Sequence, residues 1–208
     1  MSEVKNIIYK LKKDGYNLKK RLGEGGYGYA YELDNGKVLK LTTDKREANA
    51  SSLVVGKSFK NVVKIYDVWS YVKFDNWYFI EQERLSPINK KEVEKWLESY
   101  IKFDNNEILL DRFFYQVFTG ELNLTDAKEK LEQNVDEPYY DFAQDMIYAA
   151  KELLSLNIIW KDLHADNVLK NGNIYKVIDL GYSKSPGRVR DVRESLKLVK
   201  IIKNLNWR

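Results

Sequence analysis

The sequence has no cysteine, a single histidine and only three prolines among its 208 residues. Without cysteine the chain can form no disulfide, no thiol nucleophile and no cysteine-ligated zinc site. The lone histidine, His164, excludes a metal site built from several histidines. No apolar run reaches membrane-spanning length, and the N-terminus lacks the apolar core of a signal peptide. These absences predict a protein of a reducing cytoplasm, its own or that of a host, with no membrane partner.

Neither basic nor acidic residues are in large excess. Lys and Arg number 35 against 31 Asp and Glu, which leaves a net charge of +4. No dense basic run stands among aromatic residues, so we expect no specific nucleic-acid binding. The apolar fraction of 44% and the charged fraction of 32% are typical of a folded globular protein with a real core. The length suits one compact domain or two small lobes.

A glycine-rich segment stands near the start of the chain. Its G-x-G-x-x-G pattern is formed by Gly23, Gly25 and Gly28. Dinucleotide-binding folds share this pattern, but there it opens a helix. Here apolar and polar residues alternate over 27–33, and Asp34-Asn35-Gly36 predicts a turn into a returning strand at 37–41. The sequence therefore predicts a glycine loop between antiparallel strands, an arrangement whose backbone can cover nucleotide phosphates.

A lysine follows in the returning strand. Lys40 ends the run Val38-Leu39-Lys40, from which its ammonium could reach the α- and β-phosphates of a nucleotide. A helix is predicted to begin near residue 44, and Glu47 on it is the candidate partner of Lys40. Asp44 and Glu47 also have the spacing of a capping box, so the alternative is that Glu47 only caps its own helix.

The other elements come from hydrophobic periodicity and turn residues. We predict a second hairpin from strands at 62–71 and 77–82, with its turn at 74–76. Helices are predicted at 2–13 with Ser2 as cap, 89–103, 124–135 with Thr125 as cap, 138–156 and 192–205. Residues 104–137 carry no motif, and a scaffold of packed helices is the favoured interpretation over a substrate-reading insert.

Two acidic motifs lie near the end of the chain. Asp162 and Asn167 form a D-x-x-x-x-N pattern, and Asp179-Leu180-Gly181 follows the apolar run 175–178 directly. One carboxylate in such a pair of motifs can orient and deprotonate a hydroxyl. The amide and the second carboxylate supply oxygen ligands for Mg²⁺ beside a triphosphate.

In their order along the chain, these features resemble the eukaryotic-like protein kinase superfamily over residues 20–185. The resemblance is to a minimal member, similar to bacteriophage-encoded or bacterial effector Ser/Thr kinases. It implies an α+β bilobal fold in which 1–208 form a single kinase domain. The implied parts are an N-terminal helix at 1–13, an N-lobe of antiparallel sheet plus one helix at 14–85, and a reduced, mainly helical C-lobe at 86–208.

The same resemblance implies an ATP-dependent phosphotransferase that uses Mg²⁺, or Mn²⁺ in its place. Asp162 would accept the proton of the substrate hydroxyl, Asn167 and Asp179 would hold the metal, and Lys40, held by Glu47, would bind phosphates. The nucleotide contacts implied by position are Gly23, Gly25, Gly26, Gly28, Ala30, Val38, Lys40, Glu83, Leu85 and Leu169. Among these, the backbone groups of Glu83 and Leu85 would meet the adenine.

The sequence also departs from the protein-kinase pattern. Trp160-Lys161-Asp162 replaces the usual His-Arg-Asp, and His164 stands two residues after Asp162, as in aminoglycoside and choline kinases. His164 would either contact the γ-phosphate or only hydrogen-bond its own loop. No Ala-Pro-Glu follows Gly181, and no room remains for a long activation segment. We therefore expect an enzyme that is active as synthesised or controlled by a protein partner.

Three functions remain open at this point. The first is a Ser/Thr protein kinase whose substrate is a protein hydroxyl, supported by the complete set Lys40, Asp162, Asn167 and Asp179. The second is a small-molecule kinase, which His164 favours and for which an acidic pocket would indicate a cationic substrate. The third is a non-catalytic ATP-binding scaffold that acts by binding another protein.

Overall fold

The computed structural model describes residues 3–103 and 106–186. Its class is α+β, as predicted, with a five-stranded antiparallel sheet and, within the described residues, six α-helices. The sheet contains β1 (Leu18–Gly25), β2 (Gly28–Leu33), β3 (Val38–Thr42), β4 (Ile65–Ser70) and β5 (Tyr78–Gln82). Two small hairpins add β6 (Tyr100–Phe103) with β7 (Asn106–Leu109), and β8 (Val168–Asn171) with β9 (Ile174–Val177). The helices are α1 (Glu3–Lys13), α2 (Lys45–Val54), α3 (Lys90–Leu97), α4 (Leu110–Thr119), α5 (Leu124–Glu132) and α6 (Tyr140–Leu154).

The five strands follow the order β1-β2-β3-β5-β4, which confirms both predicted hairpins. In the glycine hairpin Ala30 lies opposite Lys40. Gly28 is required there for space, because a Cβ at this position would lie 1.8 Å from the carbonyl oxygen of Leu41. The close approach of two backbones therefore fixes glycine at the end of the loop.

The apolar interior forms two clusters of buried residues. The smaller cluster joins α1 to the sheet, with Ile7 and Leu11 fully buried near Trp69 and Phe79. α1 is thus the predicted amphipathic packing helix, whereas its predicted cap, Ser2, lies outside the described residues. The larger cluster joins α2, β4 and β5 to the helices that follow the sheet. The predicted apolar face of α6 lies in it, with Phe142, Met146, Ala149, Ala150 and Leu153 all buried.

Backbone hydrogen bonds join the part of the molecule that contains the five-stranded sheet to the helical part, which begins with α3. Residues 61–63 pair with β9, where Val63 N–H donates to Val177 O at 2.9 Å and Val177 N–H donates to Asn61 O at 2.9 Å. Ser86 and Lys170 exchange two further backbone hydrogen bonds, of 2.8 and 2.9 Å. The sheet and the helical part are therefore held together at two separate places.

A buried polar network supports the first of these junctions. Asn61 Nδ2 donates to Asp145 Oδ1 on α6 at 2.7 Å and to the Tyr175 carbonyl on β9 at 3.1 Å. Tyr175 N–H donates to the other oxygen of Asp145 at 2.9 Å. Burial raises the pKa of Asp145, against the effect of these donors. Glu152, also on α6, accepts the backbone N–H groups of residues 60–62. α6 therefore positions both β9 and the segment that leads into β4.

Two sequence predictions in the middle of the chain are wrong. The helix expected over 89–103 ends at Leu97, and Tyr100–Phe103 form β6. Tyr100 and Ile101 continue the helical spacing, but they are also successive strand residues, one exposed and one buried, and their pairing with β7 decides for the strand. The cap of α5 is Asn123 rather than Thr125, because the Asn123 side chain accepts the N–H groups of Thr125 and Asp126.

Within the described residues, no helix combines the length and the apolar character that a bilayer crossing requires. The helix predicted over 192–205 lies outside the described residues.

We predict that Gly28→Ala destabilises the protein by about 3 kcal/mol, or roughly 6–12 °C in thermal midpoint, because the new methyl group meets backbone that cannot rotate away. Gly26→Ala is the matched control, since a Cβ at Gly26 meets no atom within 4 Å. Thermal unfolding of both variants tests this; equal midpoints would contradict it.

Candidate functional site

A cavity of about 620 Å³ lies between the glycine loop, residues 23–28, and two loops of the helical part. We call these the Asp162 loop, residues 160–167, and the Asp179 loop, residues 178–182. The structure brings most of the predicted site residues to this cavity. They are Gly23, Gly25, Gly26, Gly28, Ala30, Lys40, Glu47, Asp162, His164, Asn167 and Asp179.

Four predicted nucleotide contacts, Val38, Glu83, Leu85 and Leu169, do not line the cavity. The Glu83 N–H donates to the Lys64 carbonyl at 2.9 Å, and its carboxylate accepts from Lys176 Nζ at 2.6 Å. Val38 and Leu85 are buried in the interior. Gln82, one residue before Glu83, reaches the cavity instead. The order of the motifs along the sequence located the end of β5 correctly, but it did not identify which residues there face the cavity.

Lys40 lies between two carboxylates. Its Nζ is 2.5 Å from Glu47 Oε1 on α2 and 2.6 Å from Asp179 Oδ2. The alternative role of Glu47 in a capping box is not what the structure shows. Asp44 caps α2 by accepting from Arg46 N–H at 2.8 Å, while the Asp44 N–H donates to Thr42 Oγ1 at 3.0 Å. Glu47 is therefore the ion-pair partner of Lys40.

Burial and the neighbouring charges act in opposite directions on the pKa values of Glu47 and Lys40. The side chain of Glu47 is only 4% exposed, and burial raises its pKa to about 7 although the charge of Lys40 opposes the shift. For Lys40, burial acts to lower the pKa, but the charges of Glu47 and Asp179 outweigh it and the pKa is raised. Lys40 is therefore a fixed cation at neutral pH, and an anion that enters the cavity competes with Asp179 for it.

The Asp162 loop is organised by the side-chain amide of Asn167. Asn167 Nδ2 lies 2.8 Å from the Asp162 carbonyl, 3.0 Å from Asp162 Oδ2 and 2.8 Å from His164 Nε2. His164 therefore does hydrogen-bond its own loop, one of the two roles expected for it, and it also lines the cavity. Because the nitrogen of the amide is used within the loop, its oxygen is the atom left for a metal.

The β8–β9 hairpin explains why two motifs twelve residues apart meet. Val168 pairs with Val177, so the chain returns to its starting point, and the Ile178 N–H donates to the Asn167 carbonyl at 2.9 Å. Trp160 adds a second link, since its Nε1–H donates to the Asp179 carbonyl at 3.1 Å. The Trp160 ring is fully buried, with its centroid 5.0 Å from that of Phe118. These contacts hold Asp162, Asn167 and Asp179 at one end of the cavity.

Asp179 adopts a left-handed backbone conformation, with φ at +51°. Its Oδ1 accepts the N–H of Gly181 at 3.2 Å, and a Cβ at Gly181 would lie only 3.0 Å from that oxygen. The glycine of the D-x-G motif therefore leaves space for the turn that directs Asp179 toward Lys40. Strained backbone of this kind is found preferentially at functional sites.

At three positions of the glycine loop, neither the space for a Cβ nor the backbone φ requires glycine. A Cβ on Gly23, Gly25 or Gly26 would meet no atom within 4 Å, and none of the three has a positive φ. All three line the cavity. The open space beside their backbone is available to a ligand that approaches closely.

No set of three or more His, Asp or Glu side chains in residues 3–103 and 106–186 is arranged to hold a metal ion. The predicted ligands, Asn167 and Asp179, supply one amide and one carboxylate. Mg²⁺ commonly binds to one or two protein carboxylates and completes its coordination with substrate phosphates and water. The donor set therefore fits Mg²⁺ that arrives with a nucleotide.

Sequence reasoning missed several residues at the cavity. Lys90, in the first turn of α3, forms an ion pair with Asp166. Gln82, Tyr27 and Tyr182 also line the cavity. The sequence has no signal for Lys90, which is one of two adjacent lysines on a polar helix turn. Tyr27 and Tyr182 could have been suspected from their positions, inside the glycine pattern and directly after Gly181.

A scan of the sequence against models of known protein families finds no match, and a search of curated proteins finds no significant match.

We predict that Lys40→Met destabilises the protein more at pH 9 than at pH 6. A carboxyl whose pKa is higher in the folded than in the unfolded chain holds its proton more tightly when folded, so stability falls as pH rises through that range. Removal of Lys40 raises the folded pKa of Glu47 further, because Lys40 is the group that lowers it. The extra loss should be on the order of 1 kcal/mol in the free energy of unfolding.

Lys40→Met/Glu47→Gln is the control, since it lacks the titrating carboxyl and should lose the added pH dependence. The measurement is denaturant unfolding at the two pH values. A Lys40→Met defect that is the same at both would show that Glu47 is not coupled to Lys40.

Proposed function

We propose that the protein is an ATP- and Mg²⁺-dependent phosphotransferase of the protein-kinase type that acts on Ser or Thr hydroxyls of a protein. One observation carries the proposal. Lys40, held by Glu47 and Asp179, and Asp162, held by Asn167, lie on the walls of one cavity beneath a glycine loop. Phosphoryl transfer requires mainly positioning and neutralisation of charge, and this set of groups supplies both.

The triphosphate of ATP fits the Lys40 side of the cavity. The ammonium of Lys40 is a fixed cation, and the backbone of Gly23, Gly25 and Gly26 borders open space. The volume of about 620 Å³ lies within the range of small-molecule sites. Entry of phosphate oxygens would release Asp179 from Lys40, so that its carboxylate becomes free to act as a ligand.

Asn167 and Asp179 would hold Mg²⁺ through their side-chain oxygens. The bound ion supplies positive charge that neutralises the phosphates during transfer. The other residues of this chain orient the two ligand side chains. Trp160 fixes the backbone of Asp179, and the hydrogen bonds of Asn167 Nδ2 fix the side of its amide that faces the loop.

Asp162 would take the proton of the acceptor. Its carboxylate is 28% exposed, at a place that a hydroxyl of another molecule can reach. The hydroxyl oxygen forms a bond to the γ-phosphorus, the bond from that phosphorus to the bridging oxygen breaks, and ADP leaves. The proton passes to Asp162. Asn167 Nδ2 holds the carboxylate at 3.0 Å and so limits its orientation.

The proposal extends to the organisation of the chain as a single bilobal kinase domain, with an N-lobe at 14–85 and a reduced C-lobe at 86–208. It is supported by the order of the elements, in which the sheet and α2 precede the helices that begin with α3, and by the cavity, which both parts line. A cytoplasmic site of action, its own or that of a host, belongs to the same proposal, as does an enzyme that is either active as synthesised or controlled by a protein partner.

A second candidate is a small-molecule kinase with a cationic acceptor. A cavity of about 320 Å³ adjoins the first and shares His164 and Asp166 with it. The acidic residues that line it are Glu94, Glu98, Asp111 and Asp166, and neither Lys nor Arg is among its described lining residues. Leu97, Leu109 and Leu163 add apolar surface. Negative charge beside the proposed phosphate-transfer site would favour an amine or guanidine on the acceptor.

We predict that Asp162→Asn and Lys40→Met each reduce phosphate transfer from labelled ATP by roughly 10³-fold or more, because each removes a group that acts on the reacting atoms. Asp136→Asn, an exposed carboxylate outside the cavity, is the matched control. The assay is label transfer with Mg²⁺, with and without cell lysate.

Label on proteins that both variants abolish supports the protein kinase, and label on small metabolites alone supports the second candidate. Nucleotide binding without transfer to any acceptor would contradict both and leave an ATP-binding scaffold.

For the second candidate, Glu94→Gln/Glu98→Gln should raise KM for a cationic acceptor by about tenfold with little change in KM for ATP, because the two carboxylates line only the acidic cavity. Glu92→Gln, on the same helix but outside that cavity, is the control. An unchanged acceptor KM in the double variant would remove the acidic cavity from consideration.

A further inference from the structure

Two tyrosines meet across the mouth of the cavity. Tyr27 belongs to the glycine loop and Tyr182 follows Gly181, 155 residues later in the chain. Their hydroxyl oxygens approach to 3.5 Å, and both side chains line the cavity. The two side chains are 49% and 50% exposed, so burial in the core does not hold them in this position.

Tyr182 has an unfavourable backbone conformation for its type. Its φ of +51° is in the left-handed region, which costs free energy for a bulky residue and little for glycine. A half-exposed residue gains little from packing to offset that cost. The contacts of the Tyr182 side chain therefore need an explanation. They are made with the glycine loop and with α2.

The contact with α2 is made through Arg46. Its guanidinium carbon lies 4.7 Å from the centroid of the Tyr182 ring, and its Nε is 3.3 Å from Asp44 Oδ1. The next residue, Glu47, is the partner of Lys40. Tyr182 therefore touches the helix that positions the phosphate-binding lysine.

The glycine loop is attached to the same region from the other side. The Tyr27 carbonyl accepts the Thr43 N–H at 2.8 Å and the Thr43 hydroxyl at 3.1 Å. Its backbone is thus anchored beside the start of α2, and only its side chain extends across the mouth. The hydroxyl groups of Tyr27 and Tyr182 therefore provide a direct contact between the glycine loop and the Asp179 loop.

We propose that Tyr27 and Tyr182 form a clasp that closes the glycine loop over bound nucleotide, and that both are positioning residues for the triphosphate. The inference rests on the proposed function, since it assumes a nucleotide in the cavity. A separation of 3.5 Å is at the outer limit of a hydrogen bond, and such contacts often tighten when the ligand binds. The hydroxyl contact with Tyr27 raises the pKa of Tyr182, so the Tyr182 phenol keeps its proton.

The test is a double-variant cycle on nucleotide affinity. Tyr27→Phe and Tyr182→Phe remove only the hydroxyl groups. Each should raise the Kd for Mg²⁺ with a non-hydrolysable ATP analogue by about 3- to 10-fold, as expected for one hydrogen bond. The double variant should be no worse than either single one, because both lose the same interaction. Tyr9→Phe, an exposed tyrosine on α1, is the matched control.

Two further readouts separate the clasp from a purely structural role. In the transfer assay, the loss should appear in KM for ATP more than in kcat. Tyr182→Gly relieves the strained backbone, so it should keep or raise the thermal midpoint while it weakens nucleotide binding. A structural role would lower both together.

The outcomes distinguish the proposed function from the clasp. If the wild-type protein binds no Mg²⁺-nucleotide, the proposed function and the clasp are both wrong. If the wild type binds and the phenylalanine variants bind equally well, or if their effects simply add, the clasp alone is overturned and the proposed function stands.

Discussion

The site depends on one partly buried cation placed between two carboxylates. Lys40 comes from the centre of the sheet, Glu47 from α2 and Asp179 from the loop after β9, so a single ammonium group joins three parts of the chain. A charge removed from water without a partner destabilises a fold, so the Glu47 carboxylate, only 4% exposed, favours the contact between β3 and α2. The same contacts place the cation and carboxylate that we propose for phosphate and metal binding on one cavity.

The remaining geometry follows from how the acidic loops are supported. The β8–β9 hairpin returns the chain so that Asn167 and Ile178 are hydrogen-bonded, and Trp160 binds the backbone of Asp179 from the core. α6 holds β9 through Asp145 and the segment before β4 through Glu152. Asp162, Asn167 and Asp179 are thus carried by loops whose ends are fixed by rigid elements, an arrangement that favours precise positioning.

Much of this could be predicted from local patterns. Alternating strands around a turn predicted the glycine hairpin, and spacing along the chain identified Lys40, Glu47, Asp162, Asn167 and Asp179, all of which line the cavity. Predictions failed where two local patterns compete. Tyr100–Phe103 fit a helix as well as a strand, and only their partner strand decides between them. Glu83 and Leu85, the predicted adenine contacts, do not line the cavity, because sequence order does not show which face of an extended segment meets a cavity.

By itself, the sequence determined the α+β class, the glycine hairpin and the identity of the charged residues of the candidate site. Turn residues and hydrophobic periodicity act over a few neighbouring positions, so they can be recognised locally. Only the tertiary structure decided whether Glu47 pairs with Lys40 or caps its helix, that Lys90 meets Asp166, and that Tyr27 reaches Tyr182. These pairs join residues that are distant in the chain or on different elements. Their contact depends on how whole elements pack, and no local pattern contains that information.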